Sequence, residues 1–266
     1  MKAVIFSDVH LSITEAGKER MAVFTSFLRS INPSETRLVI VLGDLFDFWF
    51  EYKHVVFSGY FDVLRAFAAL HDQGVQFHFI CGNHDLWAGR FLAENLGFHI
   101  HTDTALLDIG GRRVLLVHGD GMNPRDVSYR IYKWIARTRL VVALFRMLHP
   151  DWAMGLAQTL SHASRRLSHA EDITKGSEVE PLRCFARDAL AQGKADVVMC
   201  GHCHCPTSEA YPTPSGTGLY INTGDWLYHQ SYVVWDGSTF RIASFPAASG
   251  HVSRHETAQA DCKREQ

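Results

Sequence analysis

The chain is 266 residues long, enough for one large domain with an insertion. Hydrophobic residues make up 47% and charged residues 20%, which excludes a disordered or fibrous chain and suits a globular protein with a sizeable core. A formal net charge of −2 excludes a polycation built to hold nucleic acid.

The first expected element is a strand in AVIFSDVH (3–10), an apolar run that stops at Asp8 and His10. Met1-Lys2 leads straight into it, and four apolar residues are too few for a signal-peptide core, so a reducing, cytoplasmic location is expected. Residues 16–30 space apolar side chains at three and four and read as an amphipathic helix. LVIVLGD (38–44) is a second strand, ending at Asp44. The aromatic stretch GDLFDFWFEYK (43–53) overlaps its end and belongs either to the core or to a substrate wall. A helix over 60–72 is stopped by Gly74. FHFICGNHD (77–85) is the third strand, ending in Asn83, His84 and Asp85. His71, His78, His99 and His101 lie outside such clusters and read as ordinary surface or core histidines.

VLLVHGD (114–120) repeats the pattern and ends at His118. Residues 124–175 break the rhythm and read as two or three helices with a break near His149-Pro150. Between Arg125 and Arg166 stand eight Lys/Arg against two acids, which suggests an anionic partner or surface. The longest apolar run, Leu140 to Phe145, is far short of a membrane span; it can line a chamber, touch a bilayer or pack on the domain. A helix over 178–192 precedes VVMCGHCH (197–204), which ends in His202 and His204. The neighbouring Cys200, Cys203 and Cys205 are read as packing residues, because no partner cysteine pair completes a zinc module. Runs 218–225, 231–237 and 239–245 look like antiparallel strands, and the tail from Pro246 is polar and patternless.

Near-continuous apolar strands imply sheets covered on both faces, and strand–helix alternation implies an α/β fold with its crevice at the carboxyl ends of the strands. Two sheets packed face to face with helices outside are expected. Extended i, i+2 pairs point the same way, so each pair can grip one ion. Two Asp, one Asn and four His exceed one tetrahedral site and suit two ions of Mn2+, Fe or Zn2+ sharing a carboxylate, the standard device for phosphoryl displacement.

DVH, GD, GNHD, HGD and GHCH, in this order and on strand ends, make residues 1 to about 245 similar to the calcineurin-like metallophosphoesterases. The resemblance implies a four-layer αββα sandwich of two mixed sheets over 1–245, with 124–175 as an inserted helical cap and 246–266 as a tail. It implies one ion on Asp8, His10 and His204, a second on Asn83, His118 and His202, and Asp44 as the bridge. It sets His84 beside the leaving-group oxygen as general acid or charge stabiliser, with Asp85 holding its imidazole. The other reading of Asp85 is a cap for a helix starting near Leu86.

The aromatic stretch, HGDGMNPRDVSYR (118–130) and the basic cap resemble, more narrowly, the UDP-2,3-diacylglucosamine pyrophosphatases of lipid A synthesis in their Bacteroidetes-like form. That resemblance implies hydrolysis of a lipid-linked nucleotide diphosphate to UMP and 2,3-diacylglucosamine 1-phosphate. Two Mn2+ ions (Fe or Zn as alternatives) would serve a peripheral enzyme on the cytoplasmic face of the inner membrane, with no nucleic acid and no obligate protein partner. Substrate contacts would come from Asn83, His84, Asp126, Tyr129, Arg165, Arg166 and His202. One departure stands out: the best-known branch carries Arg where this chain has His84, and GNHD is the general phosphoesterase form. Another nucleotide diphosphate, a phosphodiester or a phosphoprotein therefore stays open as substrate.

Overall fold

The computed structural model describes residues 2–123, 126–156, 159, 176–214 and 216–246. The apolar runs become strands: β1 (Lys2–Phe6), β2 (Thr36–Val41), β3 (Gln76–Ile80), β4 (Phe98–His101), β5 (Thr104–Ile109), β6 (Arg112–Val117), β7 (Val197–Cys200), β8 (Thr207–Thr213), β9 (Gly216–Asn222), β10 (Ser231–Trp235) and β11 (Phe240–Ser244). They form two mixed sheets, ordered β11-β10-β1-β2-β3-β4 and β5-β6-β7-β9-β8. β1 to β4 are parallel, as are β6, β7 and β9, and the remaining pairings are antiparallel.

Alternate residues of each buried strand face different cores, which is why the runs read as continuously apolar. Ala3, Ile5, Leu38, Ile40 and Ile80 face Val114, Leu116, Val197, Met199 and Ile221 between the sheets. On the outer side of the first sheet, Phe6, Val39, Val41, Phe77 and Phe79 pack against α1 (Glu15–Ser30) and α2 (Phe61–Asp72) through Phe24, Phe27, Leu28, Val63 and Phe67. α3 (Arg90–Leu96) joins this layer through Leu92 and Leu96. On the second sheet, Val198, Cys200 and Tyr220 pack against Leu182, Ala186 and Leu190 of α7 (Gly176–Ala191). The result is an αββα sandwich.

Gly74 follows α2 with φ +83°, and the Gly74 and Val75 N–H groups return to the His71 and Leu70 carbonyls. The helix therefore stops where the glycine predicts. β4, β5 and β8 were not expected.

Between β6 and α7 lie α4 (Val127–Ala136), α5 (Arg139–Arg146) and helical turns over 150–156 (α6), which opens on Pro150 where proline is tolerated. Asp126 caps α4 by accepting the Tyr129 N–H at 2.9 Å. α4 is fastened to the body by Lys133 and Arg137 on Asp103, by Lys133 on Asp120, and by the Trp87 indole N–H on the Ala136 carbonyl at 2.9 Å. Two charges of the basic segment are thus spent on structure.

The aromatic stretch is core: Phe46, Phe48, Trp49 and Phe50 are buried. Phe145 of α5 packs on Phe48, Phe50 and Trp87 with ring centroids 4.7–5.7 Å apart. Leu140 and Leu144 of the same helix are 69% and 56% exposed. The six-residue apolar run therefore splits between packing and open surface. Among the described residues no helix is long and apolar enough to cross a membrane.

Candidate metal centre

The seven expected donors converge in the crevice at the carboxyl ends of β1, β2, β3, β6 and β7. Asp8 and Asp44 are buried, and each divides its two oxygens. Asp8 Oδ2 accepts from Ser7 Oγ and from the His202 N–H at 2.8 Å, and Asp44 Oδ1 accepts from the His84 N–H at 2.9 Å. The second oxygen of each is left for the crevice. Asp8 Oδ1 is shielded from water with no well-aligned donor among the described residues, and His204 Nε2 and His10 Nε2 stand 3.2 and 3.9 Å away. Asp44 Oδ2 lies 3.8 Å from His10 Nε2 and 3.5 Å from His118 Nε2.

The aiming device differs from the expected pleat. Asp8, His10, Asp44, His202 and His204 have φ between 50° and 70°, so tight left-handed turns converge them. They are five of the six described non-glycine residues with positive φ, a concentration of strain typical of functional sites. Gly82 permits close approach of two loops: a Cβ there would strike Asp44 Oδ1.

Each imidazole is oriented from behind. His118 Nδ1 donates to the Leu42 carbonyl at 2.6 Å, and His10 Nδ1 faces Asp47 Oδ1 at 3.4 Å. Both rings therefore turn Nε2 to the crevice with its lone pair free. His10 Nε2 and His204 Nε2 are 3.3 Å apart, and His118 Nε2 and Asn83 Oδ1 are 3.2 Å apart. Two donors bound to one ion at ordinary N/O distances stand roughly 2.9–3.4 Å apart. The His202 ring lies 5.1 Å from that of His118. The donor set, its spacing and the orphaned Asp8 oxygen fit two divalent ions.

Electrostatics agree. Burial alone raises the Asp8 carboxyl, but the facing His204 outweighs it and brings the group to about 2. Burial likewise opposes ionisation of Asp44, yet His118 and His84 hold it well below the ordinary value. Burial lowers His118 and His204, but Asp44 and Asp8 respectively drive them above the usual histidine range. A metal ion would replace those protons.

Two expectations change. Asp85 does not hold the His84 imidazole: His84 Nδ1 donates to the Asp47 carbonyl at 2.9 Å, while Asp85 accepts from the N–H groups of Gly82, Asp44 and Leu45. It thus ties the Asn83 loop to the Asp44 loop. Nor does Asp85 cap a helix. α3 begins at Arg90, and Glu51 caps it by accepting the Gly89 and Phe91 N–H groups at 2.9 and 2.7 Å. Of the expected substrate residues, Asp126 is engaged at the α4 N-terminus and the Tyr129 hydroxyl donates to Asp120 at 2.5 Å. Arg165 and Arg166, like the segment 160–175 and the tail 247–266, lie outside the described residues.

Three contributors escaped the sequence reading. Asp47 positions both His10 and His84. The loop after β9 backs Asp8, through Thr223 Oγ1 on Ser7 Oγ at 2.6 Å and the Trp226 N–H on the Asp8 carbonyl at 3.1 Å; Asp225 adds negative charge near His204. Glu178 of α7 sits 4.0 Å from His202 Nε2. GLYINTGD (218–225) carried a signal, since it too is an apolar run ending in Gly-Asp. Cys200 is a buried core thiol and Cys203 packs beside it, as expected, whereas Cys205 is disulfide-bonded and not the simple packing residue its place in the motif suggested.

The profile of the calcineurin-like phosphoesterases matches residues 1–206. A "UDP-2,3-diacylglucosamine hydrolase" of Porphyromonas gingivalis is 32% identical over 91% of this chain and 97% of its own length. Proteins of the same name are 33% identical in Neisseria meningitidis, over 90% of this chain and 96% of theirs, and 29% in Aeromonas hydrophila, over 88% and 94%.

Proposed function

The chain belongs to the calcineurin-like phosphoesterases, and from that premise we propose that it hydrolyses the diphosphate of UDP-2,3-diacylglucosamine to UMP and 2,3-diacylglucosamine 1-phosphate. The observation that carries the reading is similarity to the named hydrolases along nearly the whole of both chains, cap segment included. Two divalent ions, Mn2+ by our reading, would when bound supply positive charge for in-line displacement at phosphorus. Asp44 would serve both ions, with Asp8, His10 and His204 holding one and Asn83, His118 and His202 holding the other. Asp47 fixes the His84 ring so that Nε2 faces the crevice, 4.0 Å from Asp44 Oδ2, where it stabilises the departing oxygen. Asp126, Tyr129, Arg165 and Arg166 contact the sugar and diphosphate.

The segment 124–175 acts as a cap over this centre. Ten of the fifteen large apolar side chains exposed among the described residues fall between Val127 and Leu156, Trp134, Met147 and Trp152 among them. Such a surface suits acyl chains and, with the flanking basic residues, peripheral attachment to an anionic leaflet from the cytoplasmic side. His84 favours a second reading, action on a different nucleotide diphosphate or phosphodiester. Release of UMP separates the two. Purified protein with Mn2+ should cleave the diacylated UDP-sugar much faster than the deacylated one; equal rates would refute the lipid assignment.

A further inference from the structure

One face of α7 rests on the metal centre. Leu182 of this helix is fully buried. A Cβ at Gly119 would press on Leu182 Cδ2 at 2.9 Å and on His202 Cβ at 3.2 Å. Gly119 follows the ligand His118 with φ +123°, so the helix sits directly on the turn after His118, with His202 alongside. Glu178 precedes Leu182 by four residues, one turn of helix away on the same face.

The Glu178 carboxylate divides its oxygens. Oε1 accepts from Asn123 Nδ2 at 3.2 Å, and Oε2 stands 4.0 Å from His202 Nε2. Asn123 lies five residues after His118 on the same loop. One carboxylate therefore spans the loop of His118 and the ring of His202, the two imidazoles assigned to the second ion. With Nε2 toward Glu178, Nδ1 is the His202 nitrogen left for the crevice. His118 and His10 each have an oxygen behind the ring, from Leu42 and Asp47. Among the described residues no other side chain hydrogen-bonds the His202 ring. The 4.0 Å gap exceeds a hydrogen bond by roughly 1 Å. The Glu178 side chain is 33% exposed, which leaves it room to rotate that far.

We propose that Glu178 is a positioning residue for the second ion, given the dinuclear reading on which this rests. It receives the His202 Nε2–H, fixes the ring with Nδ1 turned to the crevice, and so sets the affinity for that ion. An outer carboxylate of this kind fixes the tautomer and raises the basicity of the ligating nitrogen. Glu178 also stands at the root of the cap. Asn123 precedes and Glu178 follows the segment 124–175, so the pair closes that segment at its base. A shift of the base moves the carboxylate that orients His202. Cap and second ion are thus coupled through one side chain, and by linkage the ion steadies the cap in return.

The test counts ions without turnover. Metal-stripped wild type, Glu178→Ala, Glu178→Gln and Asn123→Ala are titrated with Mn2+, and the free ion is read by electron paramagnetic resonance. Wild type should take up two ions. Glu178→Ala should keep one site at wild-type affinity and weaken the other about 10–100-fold. Glu178→Gln retains an oxygen that accepts the ring N–H, and should recover most of that loss. Asn123→Ala, which releases the carboxylate, should weaken the same site by less. Equal affinities in wild type and Glu178→Ala overturn the proposal. So does a Gln variant as weak as Ala, which would leave Glu178 only its charge, and so does an equal loss at both sites, which would mark a general structural role. Asn123→Ala carries the test if Glu178→Ala does not fold, and wild-type affinity at both of its sites then overturns the proposal. Failure of the dinuclear reading looks different: wild type itself binds fewer than two ions.

Discussion

Asp47 shows how one residue can orient two others. Its carboxylate faces His10 Nδ1 and its carbonyl receives His84 Nδ1, so one side chain and one peptide group orient two imidazoles that lie together beside Asp44, their rings 4.8 Å apart. Asp47→Asn should cost about 10–100-fold in metal affinity or kcat, the usual penalty for losing an outer partner of a ligating histidine. His84→Ala keeps every proposed ligand, and should lower kcat by about 100-fold or more at unchanged metal content. Steady-state kinetics beside metal analysis distinguishes them; a His84→Ala protein that lost its metal would identify His84 as a ligand. The seven proposed ligands were legible because each ends an apolar strand in a short, distinctive motif. Asp47 was not, because its value lies in a backbone carbonyl and in a fold that returns it over His10. Asp85 was misread for the opposite reason. Adjacency to His84 in sequence suggested contact, whereas the turn sends the carboxylate back to the N–H groups of Gly82, Asp44 and Leu45.

At the scale of elements, legibility followed burial. Strands covered on both faces announced themselves as apolar runs. β8, TSEAYPT, alternates exposed and half-buried residues and ends its sheet, and β4, FHIH, puts histidines on one face, so neither resembles such a run. α5 is the instructive helix, because its apolar residues divide. Phe145 is spent on Phe48, Phe50 and Trp87, whereas Leu140 and Leu144 face outward. Replacing both leucines by Glu should leave Tm nearly unchanged, since exposed sites away from packing typically shift stability by about 0.5 kcal/mol or less. If these leucines meet acyl chains or a bilayer, hydrolysis of vesicle-borne diacylated substrate should fall about tenfold or more, from about 1.5–3 kcal/mol of lost burial per leucine. Cleavage of a small phosphodiester should be unaffected; a parallel loss on both substrates would remove α5 from substrate contact.

For the molecule as a whole, the crevice joins two sheets whose strands meet at buried charges, and this links stability to pH. His118 and His204 are raised above the unfolded value, so their protons stabilise the fold fully below about pH 6.5. That stabilisation is lost as pH climbs through their folded values. Buried His10 and His202, held low, act the other way, but their effect is complete within about one pH unit of 6.5, so metal-free protein should show a Tm that declines between about pH 7.5 and 8.5, at roughly 2–4 °C for each kcal/mol. Protein loaded with Mn2+ should not decline, because the ions replace those protons. Calorimetry with and without chelator checks this, and parallel curves would refute it. The left-handed backbone at Asp8, His10, Asp44, His202 and His204 bears on what evolution can do with this scaffold. Each turn costs on the order of 1 kcal/mol that glycine would relieve. Lineages kept for durability alone would shed these side chains before any core residue. Glycine at any one of these five positions should therefore raise the stability of the metal-free protein while removing a side chain from the crevice, so durability and function pull in opposite directions at the same residues.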